Sequence, residues 1–119
     1  MRRFELAGLS LVVLDEDGET LASEQGALDI LGEVYGHEAD MIVVPVSRLP
    51  DAFFRLSTGL AGAVMQKFTN YQLRVAFVGD FSAHIGRSKP LRDLVRETNK
   101  RKQIVFAANE AELETILSR

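Results

Sequence analysis

Met41 to Val46 reads MIVVPV, apolar on consecutive residues. A strand with one wet face alternates apolar and polar side chains, so an unbroken run belongs to a strand covered on both faces. Helices are what cover both faces of a sheet, and this segment therefore points to an α/β fold. Pro45 has no N–H to give a ladder, which weakens pairing near that end. Three other β-rich runs accompany it: Leu9 to Leu14, Leu73 to Val78 and Ile104 to Ala107. The first closes on the turn Asp15 to Gly18 and the second on Gly79-Asp80. Phe4 to Leu6 either pairs with the first run or leads into it.

Segments of helical spacing separate the runs. Ser23 is a capping residue ahead of Ala27, Leu28, Leu31, Val34 and Tyr35, and Gly36 closes that helix in the left-handed conformation. Ser88, with Pro90 in the first turn, starts a helix whose Leu91, Leu94, Val95 and Thr98 face inward. Asn109 with Glu112 gives a capping-box pattern before Leu113, Ile116 and Leu117. Ser47 to Asp51 reads as a loop that Phe53 and Phe54 pin onto the core, and Phe81 to Arg87 as a longer connection. The whole of 1–119 is thus expected to be a single α/β domain: four to five mostly parallel strands, about four helices, functional loops at the strands' carboxyl ends.

Arg55 to Tyr71, RLSTGLAGAVMQKFTNY, organises the functional reading. Ser57 and Thr58 are residues that cap a helix and gather its first free N–H groups, a setting that favours an anion. Gly59 frees the backbone. At about 100° per residue, Leu60, Ala61, Val64, Met65, Phe68 and Tyr71 share a buried arc. The opposite arc carries Gly59, Gly62, Ala63, Gln66 and Asn70, small or neutral. Such a face either receives a protein partner or lets a neighbouring helix pass close.

Composition removes several classes of function. The chain has no cysteine, so neither a disulfide nor a thiolate site is available. His37 and His84 are the two histidines and show no metal-ligand spacing, so no metal or cofactor is expected. Phosphate-cradling glycine loops are missing. The net charge of −3 argues against nucleic acid as a partner, and acidic residues interrupt the N-terminal apolar run before a signal peptide or membrane span forms. The sequence reads as cytoplasmic.

The segment MIVVPVSRLPDAFFRLSTGLAGAVMQKFTNYQLRVAFVGD resembles the centre of STAS domains, the fold of bacterial anti-sigma factor antagonists. Their Asp-Ser-Ser-Gly-Leu-Gly type turn is matched here by Leu56, Ser57, Thr58, Gly59 and Leu60. The resemblance implies a phosphoacceptor hydroxyl at Thr58, with Ser57 beside it, and a kinase-like anti-sigma factor as partner. Arg55 and Leu56 stand where the antagonists have aspartate, which damages the kinase-recognition pattern. STGLAGAVMQKFTNY, RVAFVGD and SKPLRDLVRETN also resemble a family of small bacterial proteins classed as a domain of unknown function, over nearly the whole chain. That likeness implies a STAS-like fold and brings no activity with it.

These observations point to a non-enzymatic regulatory module, docking a partner at Ser57, Thr58 and Gly59 and along Gly62 and Gln66. No catalytic residue is assigned. The alternative is a small ligand-binding protein or hydrolase-like enzyme, its pocket collecting Ser57, Thr58, Asp80, Ser82 and His84. Lys89, Arg92, Arg96 and Lys100 form a basic stripe beside Asp93 and Glu97, read as a solvated face or as a dock for an acidic partner.

Overall fold

The computed structural model describes residues 1–119. One sheet runs in chain order through β1 (Arg2–Leu6), β2 (Leu9–Val13), β3 (Met41–Pro45), β4 (Val75–Val78) and β5 (Ile104–Ala107). Strands β2 to β5 are parallel, and β1 pairs antiparallel with β2 across the Ala7-Gly8 turn. Phe4 to Leu6 therefore pairs rather than leads in, and the sheet is mixed. All of β3 is buried, as its unbroken apolar run requires.

Six α-helices are present instead of about four: α1 (Glu24–Val34), α2 (Asp51–Phe54), α3 (Leu60–Asn70), α4 (Ser82–Arg87), α5 (Lys89–Arg101) and α6 (Glu110–Leu117). Helices α2 and α4 occupy segments without a periodic apolar stripe of their own. The predicted caps are in place: Ser23 accepts from Gly26 N, Ser88 from Leu91 N and Asn109 from Glu112 N. Tyr71 departs from expectation. It is the residue after α3, where the helical turn has ended, and it is 60% exposed rather than buried.

Side chains alternate across the strands, so each sheet face has its own core. Val12, Ile42, Val44, Phe77 and Phe106 meet α1, α2, α3 and α5 on one face. Leu11, Met41, Val43, Val105 and Ala107 meet Leu113 and Ile116 of α6 on the other. Each crossover from β2 to β5 steps to the next strand in the same direction, which puts α1, α3 and α5 on one side. The α3 and α5 surfaces thus face each other across β4.

Two devices close the periphery. Arg48, 3% exposed, donates from Nε to Glu19 O at 2.9 Å and from Nη2 to Glu33 at 3.4 Å, tying the acidic loop after β2 onto the domain. Asn99 of α5 occupies the outer edge of β5: its Oδ1 accepts from Phe106 N at 2.8 Å and its Nδ2 donates to Phe106 O at 3.0 Å. One side-chain amide thereby satisfies both outward backbone groups of Phe106, at a position where a further strand would have paired.

Candidate functional site

Chain leaving β3 is held by aromatic packing before it reaches the turn. Phe53 and Phe54 of α2 are buried, with ring centroids 5.4 Å apart, and Phe53 lies 5.1 Å from Phe77. Arg55 then leads into a 3-10 turn, Leu56–Thr58, and Gly59 takes φ +78°. That left-handed step is open to glycine without strain.

The helix cap falls one residue later than the hydroxyls suggest. Gly59 is the capping residue of α3, with no side-chain cap of its own. Thr58 Oγ1 lies 2.7 Å from Ala52 O and 2.9 Å from Arg55 O, to which it donates, and accepts from Leu60 N at 3.2 Å. Thr58 locks the turn. Ser57 is exposed, and its hydroxyl takes no part in the chain's hydrogen bonds.

Two hollows flank this turn. A groove of about 710 Å³ runs between α3 and α5, walled by Gly59, Gly62 and Gln66 on one side and by Leu94, Thr98 and Arg101 on the other. Leu56, Met65 and Ile104 add apolar surface, and Thr69, Gln72 and Gln103 add neutral polar groups. Gly62 faces open space: a methyl group built there meets no atom within 4 Å. Of the outward arc read from the sequence, Gly59, Gly62 and Gln66 form one wall of a groove, whereas Ala63 and Asn70 do not line it. Met65 and Leu94, placed on inward arcs by spacing, are only half-covered and line it.

The second hollow, about 520 Å³, lies on the other side of the turn and is lined by Arg55, Ser57, His84, Arg87, Asp51 and Ser88, with Phe54, Leu56 and Pro90. The His84 ring lies flat on Phe54, centroids 4.2 Å apart at 12°. Its Nδ1 is 3.5 Å from Arg87 Nη2 and its Nε2 3.9 Å from Asp51 Oδ1. An arginine only donates, so at the Arg87 contact Nδ1 can serve only as the acceptor.

Ser57 and His84, expected in one pocket, do share this hollow. Thr58, Asp80 and Ser82 do not line it. Asp80 Oδ1 instead accepts from Ser82 Oγ at 2.7 Å and Ser82 N at 3.0 Å, opening α4. Those bonds, the hydroxyl's first, hold its carboxyl below the usual carboxylate range. The acid facing His84 is Asp51, and no hydrogen bond joins Ser57 to His84. A nucleophile with its base in reach is not assembled here.

The basic stripe of α5 is largely matched on its own helix. Asp93 takes Lys89 at 2.9 Å and Arg96 at 2.7 Å, and Glu97 takes Lys100 at 3.4 Å. Lys89's hydrogen bond lowers the Asp93 pKa. Arg92 turns back to Ile85 O at 2.8 Å. No group of three His, Asp or Glu side chains gathers as a metal site, and no helix is long and apolar enough to cross a membrane.

Asp51, Arg55 and Arg87 were not legible as site residues, because they meet only once α2 and α4 are folded against each other. Arg55 carried the one sequence signal, as a cation beside the hydroxyl pair.

Residues 6–117 match the family model described as Domain of unknown function (DUF4180), and the chain belongs to that family. No curated protein and no solved structure matches it.

Proposed function

We propose that this DUF4180 protein is a non-enzymatic regulatory module, STAS-like in kind, that binds a protein partner at the Ser57–Gly59 turn and the outward face of α3. A short partner segment lies in the groove between α3 and α5. The observation that carries this reading is Gly62. In an exposed helical position with open space before it, alanine would be more stable by about 0.5–1 kcal/mol. Glycine there gives up stability and keeps the wall low. Apolar surface from Leu56, Met65 and Ile104, edged by the amides of Gln66, Gln72 and Gln103, suits apolar side chains below and main-chain hydrogen bonds at the rim.

The regulatory half rests on the hydroxyl pair and on the resemblance to anti-sigma factor antagonists, which makes a kinase-like anti-sigma factor the partner class. Modifying Thr58 would remove the one hydroxyl proton that Ala52 O and Arg55 O share and disturb the bond from Leu60 N, whereas Ser57 is free and shares its hollow with Arg55 and Arg87. A phosphate on Ser57 would find guanidinium groups beside it.

Gly62→Trp fills the groove from its open side and is expected to leave the cooperative melt intact while partner capture from host lysate falls to background. Gly62→Ala should raise stability by about 0.5–1 kcal/mol and retain capture. Equal capture by the wild type and Gly62→Trp overturns the groove as the docking face.

The second hollow favours a further reading, a small-anion site. Neither Arg55 nor Arg87 has a carboxylate partner within the chain. Inorganic phosphate at about 100 times its Kd would then stabilise the fold by about 2.7 kcal/mol, seen as a raised melting temperature that Arg55→Ala/Arg87→Ala abolishes. A melting temperature unmoved by phosphate removes this reading.

A further inference from the structure

The two edges of the sheet are finished differently. At β5 the backbone of Phe106 is bonded to Asn99, so that edge is stopped. At β1 there is no strand beyond, no proline and no side chain standing in for one.

Which backbone groups β1 offers is set by its turn. Ala7 and Gly8 have φ +52° and +80°, a two-residue turn with both central residues left-handed, as in type I′ hairpins. Leu6 and Leu9 close it as a bonded pair, and bonded pairs alternate along an antiparallel ladder. Phe4 with Leu11 is then bonded, whereas Arg3 and Glu5 point their N–H and C=O groups outward. Ser10, opposite Glu5, shows the same phase: its N–H goes to Asp40 Oδ2 at 2.7 Å and its C=O accepts from Asp40 N at 2.8 Å, away from β1.

Charged residues on an edge ordinarily repel a second strand. Here their order does the reverse. Arg3-Phe4-Glu5 is self-complementary when read antiparallel about Phe4: Arg3 meets Glu5 of the second copy, and Glu5 meets its Arg3. A parallel arrangement in register would set Arg3 on Arg3. The residues that match in charge are also those with outward backbone groups, so each Arg3–Glu5 pair would exchange both N–H···O bonds. Phe4 would meet Phe4 at the two-fold axis as a non-bonded pair, the kind whose side chains approach closest. The Glu5 carboxylate makes no hydrogen bond in the monomer; Arg3 commits only Nη1, to Ser10 Oγ and Glu38 O.

We infer that two copies of this chain associate by antiparallel β1–β1 pairing centred on Phe4, continuing the sheet across both, with Arg3 and Glu5 setting the register. So short an edge buries less than a standard interface, which places the dimer in the micromolar to millimolar range. The surface is separate from the α3–α5 groove.

Sedimentation from about 10 μM to 1 mM, a range chosen to bracket such a Kd, tests this. The wild type should shift from the 13.2 kDa monomer toward dimer. Glu5→Arg puts arginine against arginine at both pairs and should weaken the dimer about tenfold or more. Arg3→Glu puts acid against acid with the same result. Mixing the two variants restores opposite charges at every pair, so a heterodimer should form in the mixture where neither variant alone dimerises. Both variants are first shown to melt cooperatively like the wild type, so that a failure to rescue reports on pairing and not on folding. A wild type that stays monomeric throughout, a dimer indifferent to Glu5→Arg, or variants that do not rescue each other would each overturn the inference.

Discussion

Phe53→Ala is expected to destabilise the domain by about 3–5 kcal/mol, a large fraction of the roughly 5–15 kcal/mol that holds an ordinary domain folded. Phe53 is fully buried, and its ring centroid lies 5.1 Å from Phe77 on β4, 6.4 Å from Phe106 on β5 and 5.4 Å from Phe54. Truncation loses the ring's burial and leaves a cavity against β4 and β5, whose hydrogen-bonded backbones cannot collapse inward. Helix α2 has four residues and owes its place to this packing rather than to intrinsic helicity. Urea denaturation should show a lower midpoint at unchanged slope, with Phe53→Leu recovering more than half of the loss. The effect extends to the site. Thr58 Oγ1 bonds to Ala52 O on α2, so a displaced α2 releases the turn that presents Ser57. A loss under about 1 kcal/mol would show that the aromatic cluster is not the anchor of this segment.

That dependence explains what the sequence does and does not disclose. Where the deciding interactions are local, the residues announce the structure: the side chains of Ser23, Ser88 and Asn109 cap their helices by accepting from backbone N–H groups three positions on, and Gly36 takes φ +85° after α1. The unbroken apolar run of β3 announces a strand buried on both sides. Short helices give no such notice. Helices α2 and α4 have four and six residues, too few for a period to be read, and Phe54, Phe81 and His84 hold them together by stacking across sequence. The candidate site divides in the same way. Gly59, Gly62 and Gln66 were legible as one helical arc and form one wall of a groove. The opposite wall, and the meeting of Asp51 with His84, depend on how α5 and α4 pack, which spacing along the chain does not encode. Asp80 and Ser82, close to His84 in sequence, serve to open α4 instead.

Gly79→Ala should cost about 2–4 kcal/mol, because two separate obstacles coincide there. Gly79 has φ +146°, a conformation that side-chain-bearing residues rarely adopt. A methyl group built on it would also lie 2.8 Å from Val46 Cβ and 3.2 Å from Val46 Cγ2. Backbone rotation does not relieve the contact freely, since Gly79 N donates to Ala107 O at 3.0 Å and ties this point to β5. Gly59 separates the two effects. Its φ is +78° as well, but nothing lies within 4 Å of the added methyl, so Gly59→Ala carries conformational strain alone, about 1–2 kcal/mol. The difference between the two variants in urea denaturation isolates the steric part. Strain at Gly79 is relieved most easily by moving Asp80 and α4, which carry His84 and Arg87 into the second hollow. Gly79→Ala should therefore also weaken any stabilisation by phosphate, whereas the groove wall on α3 stays in place. Equal losses at Gly59 and Gly79 would show that Val46 gives way, and that the tip of β4 does not hold α4 in position.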